Sequence, residues 1–286
     1  MGLSSTMSFV SNKKTKAGEA EMKSENVTIF VFTGTGNTLQ MARVLKEELE
    51  GRGKNAFIAP MERTTTLSLP EDSAVGLAVP VACFTTYPTA WRFIHSLPQG
   101  DGREIFFLST MAGAGGGMEI PIRHTVEKKG YLPIGSKLVK MPTNYANRIL
   151  PLEQNRKTID SAKKDVVSYA KELTEGRSAW RSGNPILAAF STHMVHSKFM
   201  WRLFSRMFPL VIREELCSGC GLCVRLCPKK NISMPKKKAI MGKACEFCQR
   251  CRGFCPTEAI CFPGKPRERY RAVEPGEMMS FLRETE

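Results

Sequence analysis

Eight of the ten cysteines fall in two matching runs near the C-terminus: Cys217, Cys220, Cys223 and Cys227, then Cys245, Cys248, Cys251 and Cys255. Each reads C-x2-C-x2-C-x3-C-P, closed by Pro228 and Pro256, and the second starts 28 residues after the first. Three cysteines two residues apart wrap one face of a cubane iron–sulfur cluster in a tight loop, and the fourth iron corner needs a thiolate from elsewhere. The prolines fix a turn and supply no N–H. Two other readings compete. Paired C-x2-C motifs can hold zinc, but zinc has no use for a third cysteine two residues further on, twice over. A disulfide scaffold needs an oxidising compartment. Cys261 reads as a small buried hydrophobe, and Cys83 as a structural residue.

The runs resemble those of two-cluster bacterial ferredoxins, in which the fourth cysteine of each run ligates the other cluster. The resemblance implies one [4Fe–4S] cluster on Cys217, Cys220, Cys223 and Cys255. The other would sit on Cys245, Cys248, Cys251 and Cys227. Ile232, Ile240 and Ile260 are expected to shield them from water.

A second chemical feature lies far upstream. Val27–Phe32 is β-branched and aromatic and reads as a buried parallel strand. Thr33-Gly34-Thr35-Gly36-Asn37-Thr38 follows, then a helical stretch from Leu39 to Glu50. Strand, Gly/Thr loop and helix aim N–H groups and hydroxyls at an anion. Leu39 stands where a dinucleotide fingerprint needs its third glycine. A P-loop needs a Gly-Lys-Ser/Thr that is absent here. The remaining choices are an ordinary glycine turn and a monophosphate site. The loop resembles the flavodoxin signature T/S-x-T-G-x-T, which implies an FMN phosphate held by Thr33, Thr35, Gly36, Asn37 and Thr38.

These residues need a scaffold. Strands are expected at 27–32, 55–59, 74–81, 104–110 and 131–141, with helices at 39–50, 89–97, 117–129 and 153–175. Alternation of this kind gives right-handed crossovers and a parallel sheet. The expected fold class is α/β: a flavodoxin-like, doubly wound five-stranded sheet of order 2-1-3-4-5, followed by a small α+β two-cluster ferredoxin domain. Ligand belongs at the C-terminal strand ends, at the switch point between the first and third strands. There the loop from Pro80 to Pro88 offers Phe84 and Tyr87 to stack on a flavin ring, with Trp91 an outside choice and better read as core. Thr110 and the glycine loop with Gly113 and Gly115 complete the crevice.

The whole chain resembles the ferredoxin family called EFR1, in which a flavodoxin-like domain precedes a two-cluster ferredoxin. The resemblance rests on Thr33–Thr38, Pro80–Pro88, Met141-Pro142-Thr143-Asn144-Tyr145 and both cysteine runs. It departs at Ala82-Cys83-Phe84, where a more aromatic stretch is expected. It implies FMN and electron transfer, and names no substrate.

Composition frames the rest. The 286 residues carry a formal charge of +15. Between 213 and 270 there are 13 Lys and Arg against 5 Asp and Glu. Two clusters with their thiolates subtract about −2 each and leave the balance positive. An acidic redox partner or an anionic membrane surface suits that charge. No nucleic-acid motif accompanies it. Solubility and compensation of cluster charge are the plainer explanation. Five segments follow: a flexible N-terminal tail to residue 25, the FMN-binding domain at 26–175, a basic amphipathic linker at 176–212, the ferredoxin domain at 213–265, and a C-terminal tail at 266–286. The linker is expected to pack between domains; His193 and His196, without companions, make a poor metal site. No Ser-His-Asp set or carboxylate pair supports hydrolysis. The leading expectation is an electron carrier in a reducing cytoplasm, with no signal peptide visible. Its rivals are a flavin-dependent reductase fed by its own ferredoxin domain, and a redox sensor.

Overall fold

A computed structural model describes residues 21–64, 69–70, 72–115, 117–144, 150–181, 186, 188–190, 193, 197–207, 209–264 and 269–283; the side chains of residues 198, 199, 202, 204 and 205 are outside that description. Expectations that fell on Tyr145 and His196 therefore lie outside the described residues.

Five strands form one parallel sheet: β1 (Asn26–Val31), β2 (Asn55–Pro60), β3 (Ser73–Pro80), β4 (Glu104–Met111) and β5 (Leu132–Lys140), in the order β2-β1-β3-β4-β5. The central strands are apolar without alternation because both faces are covered. On one face Val27, Ile29 and Val31 pack with α1 (Asn37–Glu50) and α4 (Leu152–Thr174), through Leu45, Val166 and Tyr169. On the other, Phe30, Phe32 and Leu77 pack with α2 (Pro88–Ser96) and α3 (Glu119–Lys128). The fold is flavodoxin-like, and the order reverses between β1 and β3, which opens a crevice at their C-terminal ends.

The chain before β1 is tied down where it is described. Met22 is buried, and Glu104 accepts hydrogen bonds from the N–H groups of Lys23 and Ser24. The far end of the chain also packs. Helix α8 (Pro275–Phe281) buries Met278 and Phe281 in the same core as α1, and a capping box between Glu274 and Glu277 starts it. A segment expected as a tail thus covers the sheet.

After α5 (Lys198–Met207) come two short antiparallel strand pairs. Strand β6 (Val211–Ile212) pairs antiparallel with β9 (Ile260–Cys261), and β7 (Ile232–Ser233) with β8 (Ile240–Met241). Short helices α6 (Leu222–Leu226) and α7 (Arg250–Phe254) each carry the third cysteine of their run, Cys223 and Cys251. Each ends on the fourth cysteine, Cys227 or Cys255, as its C-cap. The two cysteine runs are related by the 28-residue repeat, down to left-handed residues at equivalent places: Gly219 with Phe247, Gly221 with Gln249, and Lys230 with Glu258.

Candidate functional site

Two cavities lie in the C-terminal unit. One is lined by Cys217, Cys220, Cys223 and Cys255. The other is lined by Cys227, Cys245, Cys248 and Cys251. Each draws three cysteines from one run and one from the other. The exchange follows from helices α6 and α7 lying side by side, which carries the cysteine at each C-cap into the opposite cavity. Ile212, Met234 and Ile260 wall the first; Leu210, Ile232 and Met241 wall the second. Ile240 is exposed and lines neither.

All ten cysteines are free thiols, which removes the disulfide reading. Burial pushes the Cys223 thiol up to about 11 and the Cys248 thiol up to about 12. Metal binding would have to displace these protons. N–H groups already point at sulfur: Asn231 donates to Cys227 Sγ and Phe247 to Cys245 Sγ, both at 3.3 Å. Such bonds favour a thiolate. Among the described residues, no group of three or more His, Cys, Asp or Glu is gathered tightly enough for a single metal ion. Cys261 is buried in β9, and Cys83 sits half-buried on a tight turn with its thiol pushed up to about 11 by burial. Neither reaches the two cavities.

A third cavity opens at the C-terminal ends of β1, β3 and β4. Thr33, Thr35, Asn37, Thr38, Pro80, Tyr87 and Thr110 line it, together with Pro142, Thr143 and Asn144. Gly36 lies behind this wall as the N-cap of α1 with φ +103, a conformation that only glycine adopts freely. The first-turn N–H groups of α1 have no carbonyl within the helix. Thr33 Oγ1 is fully buried without a hydrogen-bond partner. Thr38 and Thr110 share a hydrogen bond of 2.8 Å between their hydroxyls. An unpartnered hydroxyl, bare helix N–H groups and a polar wall fit a terminal phosphate.

The aromatic and glycine residues expected at the crevice are divided: Tyr87 lines it, whereas Phe84, Gly113 and Gly115 do not. Phe84 is exposed on a turn closed by reciprocal bonds between Ala82 and Thr85, where it meets Phe190 edge-on. Both Cys83 and Phe84 are left-handed there, and Phe84 is not among the residues lining the crevice. Tyr87 is buried between Phe32 and Trp201. Trp91 is buried, its indole N–H donating to Thr85. Gly113 and Gly115 do not line the cavity; Met111 and Ala112 of the same loop do.

The cysteine cages and the phosphate cradle share a wall. A side chain at Gly34 would run into the main-chain oxygen of Cys248. Arg250, almost wholly buried, donates to the Thr33 carbonyl from Nε and Nη2 and to the Leu226 carbonyl from Nη1, and ion-pairs with buried Glu62. Its guanidinium is held above its ordinary range: burial opposes the charge, but Glu62 and then Cys248 outweigh it. Gln249 and Arg252 both donate to Asn144, which in turn donates to Thr35. Glu246 accepts from the N–H and hydroxyl of Thr89 at the start of α2 and pairs with Arg92. From beyond the second run, Tyr270 donates to Asn37 and the Ala272 N–H to the Thr35 carbonyl.

Motif matching missed these residues. The signal was the repeat itself. Aligned at 28 residues, Ser218, Gly221, Leu222 and Val224 correspond to Glu246, Gln249, Arg250 and Arg252. The cysteines repeat; the polar docking residues occur in the second copy alone.

Residues 210–233, the first cysteine run, match the 4Fe-4S binding domain family. A stretch of 33 residues is 52% identical to a pyruvate-flavodoxin oxidoreductase of Trichormus variabilis, covering 12% of this chain and 3% of that protein. The chain therefore spans a small fraction of the curated relative it matches. Among solved structures, an archaeal flavodoxin is similar at 17% identity over 52% of this chain and 97% of its own, with TM-score 0.37. The flavodoxin of Megasphaera elsdenii matches at 17% over 50% and 98%, with TM-score 0.34. The rubredoxin oxygen:oxidoreductase of Desulfovibrio gigas matches at 15% over 54% and 37%, with TM-score 0.37. The chain joins a five-stranded parallel sheet of order β2-β1-β3-β4-β5 to a segment that matches the 4Fe-4S binding domain.

Proposed function

We propose that this chain is an electron-transfer flavoprotein that holds FMN and two [4Fe–4S] clusters and passes electrons among them. The observation that carries the reading is the shared wall: Cys248 of the second cage backs onto Gly34 of the phosphate loop. FMN takes or gives two electrons in single steps, and each cluster handles one, so the three together would join paired to single electron traffic.

The chain's part is position, charge and exclusion of water. Thr33, Thr35, Thr38 and the first turn of α1 would hold the phosphate. Cys227, Cys245, Cys248 and Cys251 would hold the cluster nearer the flavin; Cys217, Cys220, Cys223 and Cys255 the farther one. Arg250 fixes the near cage to β1 and places a positive charge beside both. Trp201 covers Tyr87 at the crevice rim. The resemblance to the EFR1 family points the same way.

Anaerobic purification with iron and flavin counts tests the proposal. About eight irons, two four-iron clusters, and one FMN per chain are expected. Protein that takes up four irons or none, or that shows no flavin absorbance after reconstitution, would sink it.

A further inference from the structure

We propose that the edge around Cys220 is the docking face for an acidic one-electron carrier protein, an inference that rests on the electron-transfer reading above. The two cages face different surroundings. Cys248 is buried against Gly34, whereas its repeat counterpart, Cys220, is exposed. Side chains that dock the second copy onto the first domain, Glu246, Gln249, Arg250 and Arg252, are replaced in the first copy by the uncharged Ser218, Gly221, Leu222 and Val224. Gly219 and Gly221 flank Cys220 where Phe247 and Gln249 flank Cys248. The far cage therefore meets solvent at the position where the near cage meets protein.

The exposed edge is ringed with positive charge. Lys237 lies against Gly219, its Cβ 3.1 Å from where a side chain there would begin, and Arg225 Nη1 lies 3.5 Å from the corresponding point on Gly221. Lys238 Nζ is held by main-chain oxygens, 2.7 Å from Glu214 and 3.5 Å from Cys217. Between residues 225 and 243 there are seven Lys and Arg and no Asp or Glu. Among the described residues, Arg225, Lys236 and Lys237 form no salt bridge, though Glu214 and Glu215 lie just before the run.

A small, charge-steered face is what a transient electron-transfer complex uses. The charge surrounds the edge of a redox cage, which neither a membrane nor a nucleic acid would need. The complementary surface is acidic. The step is one electron: the carrier's iron–sulfur or flavin centre is reduced by one as the cluster at Cys220 is oxidised by one, or the reverse. No bond or proton is exchanged.

The test uses the full-length holoprotein, a small acidic two-cluster ferredoxin as probe, and a basic cytochrome c as control. Iron and flavin contents are measured first. Failure there would remove the electron-transfer reading, while intact cofactors leave the docking face to be judged alone. Stopped-flow rates with the acidic carrier should fall about tenfold between low and physiological salt. The triple variant Arg225→Glu, Lys236→Glu, Lys237→Glu should lose about tenfold at low salt and most of its salt dependence. Carbodiimide, which joins lysine to carboxylate without a spacer, should link Lys236 or Lys237 to the carrier in mass spectra. A salt-independent rate, an unaffected triple variant, equal preference for cytochrome c, or loss only of binding to anionic vesicles would each overturn the proposal.

Discussion

Arg250 donates two hydrogen bonds to the Thr33 main-chain oxygen, 3.1 Å from Nε and 2.6 Å from Nη2. Thr33 opens the phosphate loop, and Arg250 lies between Cys248 and Cys251 of one cysteine cage. A single buried guanidinium therefore fixes two candidate cofactor sites against each other. It stays charged because Glu62 offsets the cost of burial.

Arg250→Met leaves Glu62 buried without its cation, and breaking such a pair costs about 3–5 kcal/mol. The denaturant midpoint of the holoprotein should drop accordingly. The double variant Arg250→Met, Glu62→Met should recover much of the loss, since the uncompensated charge is gone. A double variant no better than the single one would show that the main-chain bonds, not the ion pair, dominate.

Removing Cys255 should abolish the same cluster as removing Cys223, although they belong to different runs. Cys227→Ser should instead match Cys245→Ser. Each variant should fall from about eight irons to about four, with one of two electron paramagnetic resonance signals lost. Pairing of Cys255 with Cys245 instead would contradict the division seen in the two cavities.

Thr33→Val removes the unpartnered hydroxyl and little else. A hydrogen bond to a charged group is worth about 1.5–3 kcal/mol, so FMN affinity should weaken by ten- to hundredfold in equilibrium titration. The iron content should not change. Because the hydroxyl has no protein partner, apoprotein stability should move by less than about 0.5 kcal/mol.

Glu246→Gln keeps the shape of a side chain that caps α2 but removes its charge from the helix start and from Arg92. A charge near a helix N-terminus in a partly buried setting contributes up to about 2 kcal/mol. The loss should register as a lower unfolding midpoint and as faster hydrogen exchange at Thr89 to Trp91. Unchanged exchange there would mean the cap is dispensable.

Much of the architecture was legible because it depends on local pattern. Val27–Phe32 is apolar on both faces, so it belongs inside a parallel sheet, and the alternation of strands with helices led to the order 2-1-3-4-5. The phosphate loop was legible because its chemistry is contiguous, with the residues from Thr33 to Thr38 adjoining in the chain. The packing of Phe84 was not, because it turns on the left-handed turn at Cys83 and Phe84. Neither was the course of the chain after Tyr270, which reads as polar and charged but buries Met278 and Phe281 beside α1.

The sequence by itself determined the candidate ligands: eight thiols at fixed spacing and a hydroxyl-rich loop between strand and helix, both set by short-range geometry. Only the tertiary structure decided how they are arranged. It placed the second cysteine run against the phosphate loop and left the first run facing water. That choice is made by Glu246, Gln249, Arg250 and Arg252 reaching partners more than 100 residues away in the chain. No local pattern encodes such bonds, because each depends on two distant segments becoming neighbours.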